Sequence, residues 1–253
     1  MSAPRTAGGA RYGMVVDLDR CNGCGACAVA CAVENNVPPA AERATERNGI
    51  TWLRVQRLEA PGDARAAFVP MMCQQCGDKT PCASVCPQNA VEVDPASGIV
   101  AQVPVRCLGC RYCMAACPYH ARSFNWWDPD WPGRLPETLN PEVSTRTRGV
   151  VEKCTFCSHR LQAAQDAQAA AGGETKPPSY TPACVEACPA GAIVFGNLDD
   201  PQDEVARLTR APGTFRLLDR LGTGAKVSYH TERDWVRRLA DGRAATTDGR
   251  THG

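Results

Sequence analysis

Aromatic side chains are scarce in this chain: five Trp, five Tyr and five Phe make up only 6% of its 253 residues. A core normally draws much of its buried area from such side chains, so another source of cohesion is implied. No stretch approaches the roughly 18 apolar residues of a membrane-spanning helix, so no direct membrane span is expected. Residues 1–13 hold neither a twin-arginine pair nor an apolar run before Met14, which predicts a chain made without an export signal of its own. The Arg237-Arg238 pair lies too near the other end to serve as one. A glycine-rich phosphate loop, a dinucleotide fingerprint and a paired acid and base are all missing, which argues against independent catalysis. Basic residues are scattered rather than clustered, so no nucleic-acid partner is expected.

Cysteine, by contrast, is abundant, with 16 residues alongside 22 Gly and 20 Pro. It falls into four sets of four with none left over: Cys21, Cys24, Cys27, Cys31; Cys73, Cys76, Cys82, Cys86; Cys107, Cys110, Cys113, Cys117; and Cys154, Cys157, Cys184, Cys188. In the ferredoxin run Cys-x2-Cys-x2-Cys-x3-Cys-Pro, three thiolates wrap one cubane and the fourth ligates the other cluster of a pair. The third set fits residue for residue. The first has the spacing without the proline, the second widens one gap around Lys79, Thr80 and Pro81, and the fourth carries a long insertion between Cys157 and Cys184.

Structural zinc prefers separated Cys-x2-Cys pairs, two per ion, and a disulfide scaffold of this cysteine density belongs to small secreted chains. Both fit less well than iron and sulfur. All four sets are complete, so four [4Fe–4S] clusters are expected, with all sixteen cysteines as iron ligands and with metal-binding energy supplying folding energy. Gly23, Gly25 and Gly109 lie between ligands, either where backbone approaches a cubane and aims N–H groups at its sulfurs, or simply as turn residues. The formal charge of +1 counts cysteines as neutral; four oxidised clusters at roughly −2 each bring the loaded chain to about −7. The 24 arginines against four lysines either offset that buried charge or reflect a GC-rich genome.

Three Cys-Pro-x-x-Ala repeats mark the chain, at 86–90, 117–121 and 188–192. Val91-Glu92-Val93 and Ile193-Val194-Phe195 follow two of them and predict strands. Residues 91–94, a turn at 95–98 and residues 99–103 read as a hairpin joining the second and third sets. Residues 14–18 run into Cys21 as residues 100–105 run into Cys107, so the repeat unit reads strand, cysteine loop, short helix, strand. Further strands are expected within 48–58, at 68–70 and at 225–229. An exposed helix over 161–171, ended by Gly172-Gly173, and short amphipathic pieces at 205–208 and 235–239 complete an α+β reading.

Certain segments go beyond spacing. These are Tyr12-Gly13-Met14-Val15-Val16-Asp17-Leu18-Asp19-Arg20-Cys21, residues 110–119, Asn125-Trp126-Trp127-Asp128, Asn140-Pro141-Glu142-Val143, and Arg148 through Glu152-Lys153-Cys154-Thr155-Phe156-Cys157. From residue 12 to about 230 the chain resembles the iron–sulfur electron-transfer subunit of the molybdopterin (dimethyl-sulfoxide-reductase-like) oxidoreductases. Similar segments occur in such subunits of polysulfide, tetrathionate and arsenate reductases, membrane sulfite dehydrogenases and alternative complex III.

The resemblance implies crosswise ligation. Cys21, Cys24 and Cys27 would share a cluster with Cys188; Cys154, Cys157 and Cys184 with Cys31; Cys73, Cys76 and Cys82 with Cys117; and Cys107, Cys110 and Cys113 with Cys86. It implies two ferredoxin-like lobes, each holding a cluster pair: an outer one of residues 12–66 plus 149–198, and an inner one of residues 67–124 inserted into it. A Trp/Pro-rich insertion at 125–148 and a C-terminal extension at 199–253 complete the division. The chain would be a non-catalytic wire of a respiratory complex, between a large molybdopterin-type catalytic subunit and an integral-membrane, quinone-interacting subunit, with flow open in either direction. A free-standing soluble polyferredoxin is the alternative, and the large insertions speak against it. The expected place is the cytoplasmic side of the membrane, held peripherally; co-export to the periplasm with a twin-arginine-bearing partner is the other option.

His120, His159, His230 and His252 are read as surface or packing residues, the alternative for His120, two positions past Pro118, being to donate to a cluster sulfur or couple a proton. Trp126, Trp127 and Trp131 either anchor a partner subunit or cover a cluster and complete a thin core.

Overall fold

The computed structural model describes residues 9–42, 44–45, 48–60, 63, 65–172 and 177–240; the segment before Gly9, Gly173 and His252 lie outside them. The first half contains β1 (Tyr12–Asp17), α1 (Ala26–Glu34), β2 (Arg54–Leu58), β3 (Ala67–Met71), α2 (Pro81–Ser84), β4 (Val91–Val93), β5 (Val100–Gln102), α3 (Tyr112–Ala115) and β6 (Ser123–Phe124). The second half contains β7 (Val151–Glu152), α4 (Ser158–Ala170), α5 (Ala183–Glu186), β8 (Ile193–Asn197), α6 (Glu204–Thr209), β9 (Thr214–Phe215), β10 (Val227–His230) and α7 (Asp234–Ala240).

The third ligand of every cysteine set sits on a short helix: Cys27 on α1, Cys82 on α2, Cys113 on α3 and Cys184 on α5. α1 alone runs on, carrying Cys31 one turn further. α1 packs against α5 and α2 against α3, so helices from different cysteine sets meet in pairs. The third set departs from the expected unit, because Pro104 starts a 3-10 turn over Pro104–Arg106 between β5 and Cys107; proline has no N–H to continue a ladder. Within 48–58 only Arg54–Leu58 is a strand, since Trp52 and Leu53 turn inward and are buried.

The main sheet has the order β8-β1-β10-β9. β8 runs antiparallel to β1, and β10 runs parallel to it with Met14 opposite Val227 and Val16 opposite Tyr229. The C-terminal segment therefore supplies an interior strand, and Val227 and Tyr229 expose no surface. β2 pairs with β3, β4 with β5 in the expected hairpin, and β6 with β7 at the neck of the 125–148 insertion. One continuous core includes Val16, Leu53, Val69, Ile99, Phe156 and Tyr229. A smaller one gathers Cys82, Val91, Val100, Cys113 and Val151. Among the described residues no helix is long and apolar enough to cross a membrane.

Candidate metal centres

None of the sixteen cysteines is in a disulfide, and the fold regroups them across the sets. Cys73, Cys76 and Cys82 line one cavity together with Cys117. Cys107, Cys110 and Cys113 line a second together with Cys86. Cys31 lies within electrostatic reach of Cys154, Cys184 and Cys157, and Cys27 within that of Cys21, Cys188 and Cys24. Neighbouring groups come within electrostatic reach of one another in one order, through Cys184 and Cys27, then Cys154 and Cys73, then Cys113 and Cys82. The four groups thus form a row. Burial is greatest in its middle, where Cys31, Cys154, Cys157, Cys184, Cys73, Cys76 and Cys82 are buried and Cys117 is half-buried; at the ends only Cys27 and Cys113 are buried, Cys24 is exposed and Cys21, Cys188, Cys86, Cys107 and Cys110 are half-buried.

Burial pushes three of the thiols up, Cys27 to about 11 and Cys76 and Cys154 to about 12, with nearby thiols adding to the rise. At neutral pH these three would be thiols rather than thiolates, so binding of iron to them must release their protons.

Backbone geometry around the ligands repeats. The residue before the second cysteine of every set is left-handed: Gly23 at φ 75°, Gln75 at 49°, Gly109 at 75° and Phe156 at 55°. Such residues turn successive N–H groups into one concavity suited to negative charge. Glycine is imposed at two of the four by neighbours. A Cβ on Gly23 would stand 2.3 Å from the Phe68 ring, and one on Gly109 would stand 2.3 Å from the Gly149 carbonyl oxygen. Gln75 keeps the same twist through its side chain, whose Nε2 donates to the Cys154 carbonyl at 2.9 Å and whose Oε1 accepts from the Val100 N–H at 2.7 Å.

The Cys-Pro-x-x-Ala repeat has a physical basis too. Asn89, His120 and Gly191 are all left-handed and each returns its N–H to the cysteine carbonyl. The next N–H then reaches the sulfur: Ala90 donates to Cys86 Sγ at 3.2 Å, Ala192 to Cys188 Sγ at 3.3 Å, and Ala121 bonds to Cys117 likewise.

Buried cations test whether a cluster fits here. Arg122, Lys153 and Lys226 are 6%, 1% and 4% exposed. Among the described residues none of them is ion-paired with a carboxylate; the buried ion pair is Arg146–Glu152. Lys153 Nζ donates to the carbonyls of Val100 and Cys154, and Lys226 Nζ to that of Gly98. Arg122 Nη2 is buried with no hydrogen-bond partner. An uncompensated buried charge costs several kcal/mol, and a thiolate-ligated [4Fe–4S] core supplies the missing negative charge. Among the described residues no three Cys, His, Asp or Glu side chains converge closely enough for a single metal ion, while four thiols line each of the two cavities named above. That spacing suits a core of several atoms better than a zinc ion, whose bonds to sulfur are about 2.3 Å.

Other expected residues take ordinary places. His120 is exposed, and its carbonyl accepts from Arg54 at 2.8 Å. His159 lies 2.6 Å from Glu34, which also binds Arg160, and His230 faces Thr214 at 3.2 Å. Trp126 is 39% exposed, edge-on to Phe124 and under the Arg111 guanidinium. Trp131 lines an apolar groove with Val29, Val33 and Leu135. None of the three tryptophans of the insertion is fully buried.

Two features of the site lie beyond what the sequence pattern announces. Tyr12, Phe156, Tyr180 and Phe195 pack ring to ring at 5.0–5.7 Å beside the Cys154 and Cys157 loop, so the few aromatics are concentrated against one centre. At the end of α1, Asn35 Nδ2 approaches Cys31 Sγ at 3.8 Å and Cys157 Sγ at 3.9 Å. Its carbonyl and that of Asn36 accept from Arg146, which pairs with Glu152 at 2.7 Å, and Trp52 Nε1 donates to the same carboxylate at 2.9 Å. The Asn140–Val143 motif closes this corner, exchanging backbone hydrogen bonds with the Asn36 side chain.

Two models of the 4Fe-4S dicluster domain match the chain, over residues 17–90 and 64–131. Among curated proteins, the chain is 48% identical to the iron–sulfur cluster-binding subunit of a menaquinone reductase from Nitratidesulfovibrio vulgaris, over 91% of this chain and 92% of that one. It is 34% identical to the arsenate respiratory reductase iron–sulfur subunit ArrB from a Shewanella species, over 87% and 95%. It is 40% identical to a putative dimethyl sulfoxide reductase iron–sulfur subunit from Halobacterium salinarum, over 86% and 78%. With such identity sustained along most of each chain, this protein belongs to the family of iron–sulfur electron-transfer subunits of the dimethyl-sulfoxide-reductase-like molybdopterin oxidoreductases.

Proposed function

We propose that the sixteen cysteines hold four [4Fe–4S] clusters in the crosswise pairing, each set lending its fourth cysteine to another set's cluster. Residues 67–124 would form one ferredoxin-like lobe set within another made of residues 12–66 and 149–198. The chain itself is non-catalytic and carries electrons. We propose that they pass along the row from the Cys21 centre, through those of Cys31 and Cys117, to the Cys86 centre, or back. One observation carries this reading: the four cysteine groups stand in a single row, with nearly all the thiols of the middle groups buried and most of those of the end groups exposed or half-buried. A wire needs insulation along its length and contact only at its tips.

At one tip Val105, Leu108 and Tyr112 are 94%, 55% and 65% exposed beside Cys107 and Cys110, a rim suited to docking. The partners proposed are a large molybdopterin-type subunit and an integral-membrane, quinone-reactive one, since the 48% identical relative is a menaquinone reductase subunit. Attachment to the membrane would then be peripheral, through that partner. Anaerobic purification from the native host should bring down a large cofactor-bearing subunit with this chain. Recovery of a fully loaded chain with no partner, from both membrane and soluble fractions, would favour a diffusing polyferredoxin instead.

A further inference from the structure

We propose that Arg122 is a positioning residue for electron transfer, a fixed positive charge between the Cys117 and Cys86 centres that stabilises an added electron on both. The Cys-Pro-x-x-Ala repeat makes the residue stand out. Immediately after the repeat's alanine, two copies carry a buried aliphatic, Val91 at 5% and Ile193 at 4% exposed, and the third carries Arg122 at 6%. Packing at this position is satisfied by a branched hydrocarbon, so an arginine there needs a reason that includes its charge.

Its surroundings supply one. The side chain lines the cavity of Cys73, Cys76, Cys82 and Cys117, and its field also reaches Cys113 of the next group. Nη1 donates to Gln102 Oε1 at 2.7 Å. Nη2 is buried and has no close hydrogen-bond partner, the guanidinium's other polar neighbours are the Cys82 and Cys113 sulfurs, and among the described residues no carboxylate neutralises it. Lys153 and Lys226 differ, because backbone carbonyls satisfy their ammonium groups. A guanidinium stays charged at any working pH, so its effect is constant rather than switched. Each electron added to a cluster adds one negative charge, and attraction to a unit cation inside the protein favours the reduced form by about tenfold or more, equivalent to 59 mV for one electron. The two centres beside Arg122 would then be a matched, electron-accepting pair within the row.

The inference rests on the ligand pairing proposed above; iron and sulfide content of the same samples tests cluster occupancy, on which that pairing stands, separately. The experiment is a potentiometric titration followed by EPR on the intact complex, comparing wild type with Arg122→Val, Arg122→Gln and Arg122→Lys. With full iron content, the Val and Gln variants should leave two clusters about tenfold less reduced at a given potential and the other two unchanged, while the Lys variant should track wild type. Unchanged potentials in both neutral variants, an equal shift of all four clusters, or a Lys variant that falls as far as Gln would overturn the proposal. Loss of iron from both neutral variants would overturn it in favour of a purely structural role.

Discussion

Single residues at the end of α1 show how charge is managed near a buried centre. Arg146 and Glu152 are 7% and 2% exposed, and Glu152 Oε1 already lacks a partner. Arg146→Met should therefore destabilise by about 3–5 kcal/mol, because it strands a buried carboxylate; adding Glu152→Gln should recover most of that. Denaturant midpoints of the three proteins check this, and a mild Arg146→Met would contradict it. Glu34 behaves differently. Hydrogen bonds from Arg160 first, with His159 after burial is set against them, hold its carboxyl down at about 2. A depressed carboxyl stabilises fully above its unfolded value of about 4.3 and loses that contribution as pH falls towards 2. Glu34→Gln should thus lose its 400-nm absorbance faster than wild type at pH 7, and the ratio of the two rates should shrink between pH 5 and 3. A ratio independent of pH would show that the ion pair does not contribute. The four cysteine sets could be picked out from spacing alone, because a cluster-binding run has a set spacing. Asn35, Trp52 and Arg146 could not, since their partners are 111 and 100 residues away along the chain and no local pattern announces them.

At the scale of elements, α1 gives the proposed crosswise ligation its geometry. Cys27 and Cys31 are four residues apart on one helix, so they share a face one turn apart, at about 6 Å of rise. A helix between two cysteine groups can offer one thiol to each. Cys31→Ser should therefore abolish or alter the same EPR signal as Cys154→Ser, and a different one from Cys27→Ser; a shared signal for Cys31→Ser and Cys27→Ser would contradict crosswise ligation. β10 shows the limit of local reading. Its alternation was legible as a strand, but its place was not, because a parallel neighbour more than 200 residues away leaves no mark in sequence. Once in place, Tyr229 donates to the Pro70 carbonyl at 3.0 Å and accepts from Gln74 at 3.1 Å, bracing the loop that leads to Cys73 and Cys76. Tyr229→Phe should cost about 1–2 kcal/mol with little loss of packing, seen as a lower thermal midpoint; no change would mean that the hydroxyl braces nothing.

For the whole molecule, the shortage of aromatics and the surplus of cysteine are one fact. The chain builds its interior around thiols, buried cations and short helices, with few large rings and those grouped beside the Cys154 loop. Cluster chemistry was therefore the most legible layer, since it is written in covalent spacing. The row of centres, the interior β10 and the cations that face the thiols depend on contacts across the fold. The central claim is that this fold is assembled on four cubane clusters. It is tested most directly by iron and acid-labile sulfide analysis of the anaerobically purified protein, with absorbance near 400 nm followed on reduction. About sixteen iron and sixteen sulfide per chain, with absorbance bleached by dithionite, is the result predicted; about twelve of each, or stoichiometric zinc in their place, would contradict it.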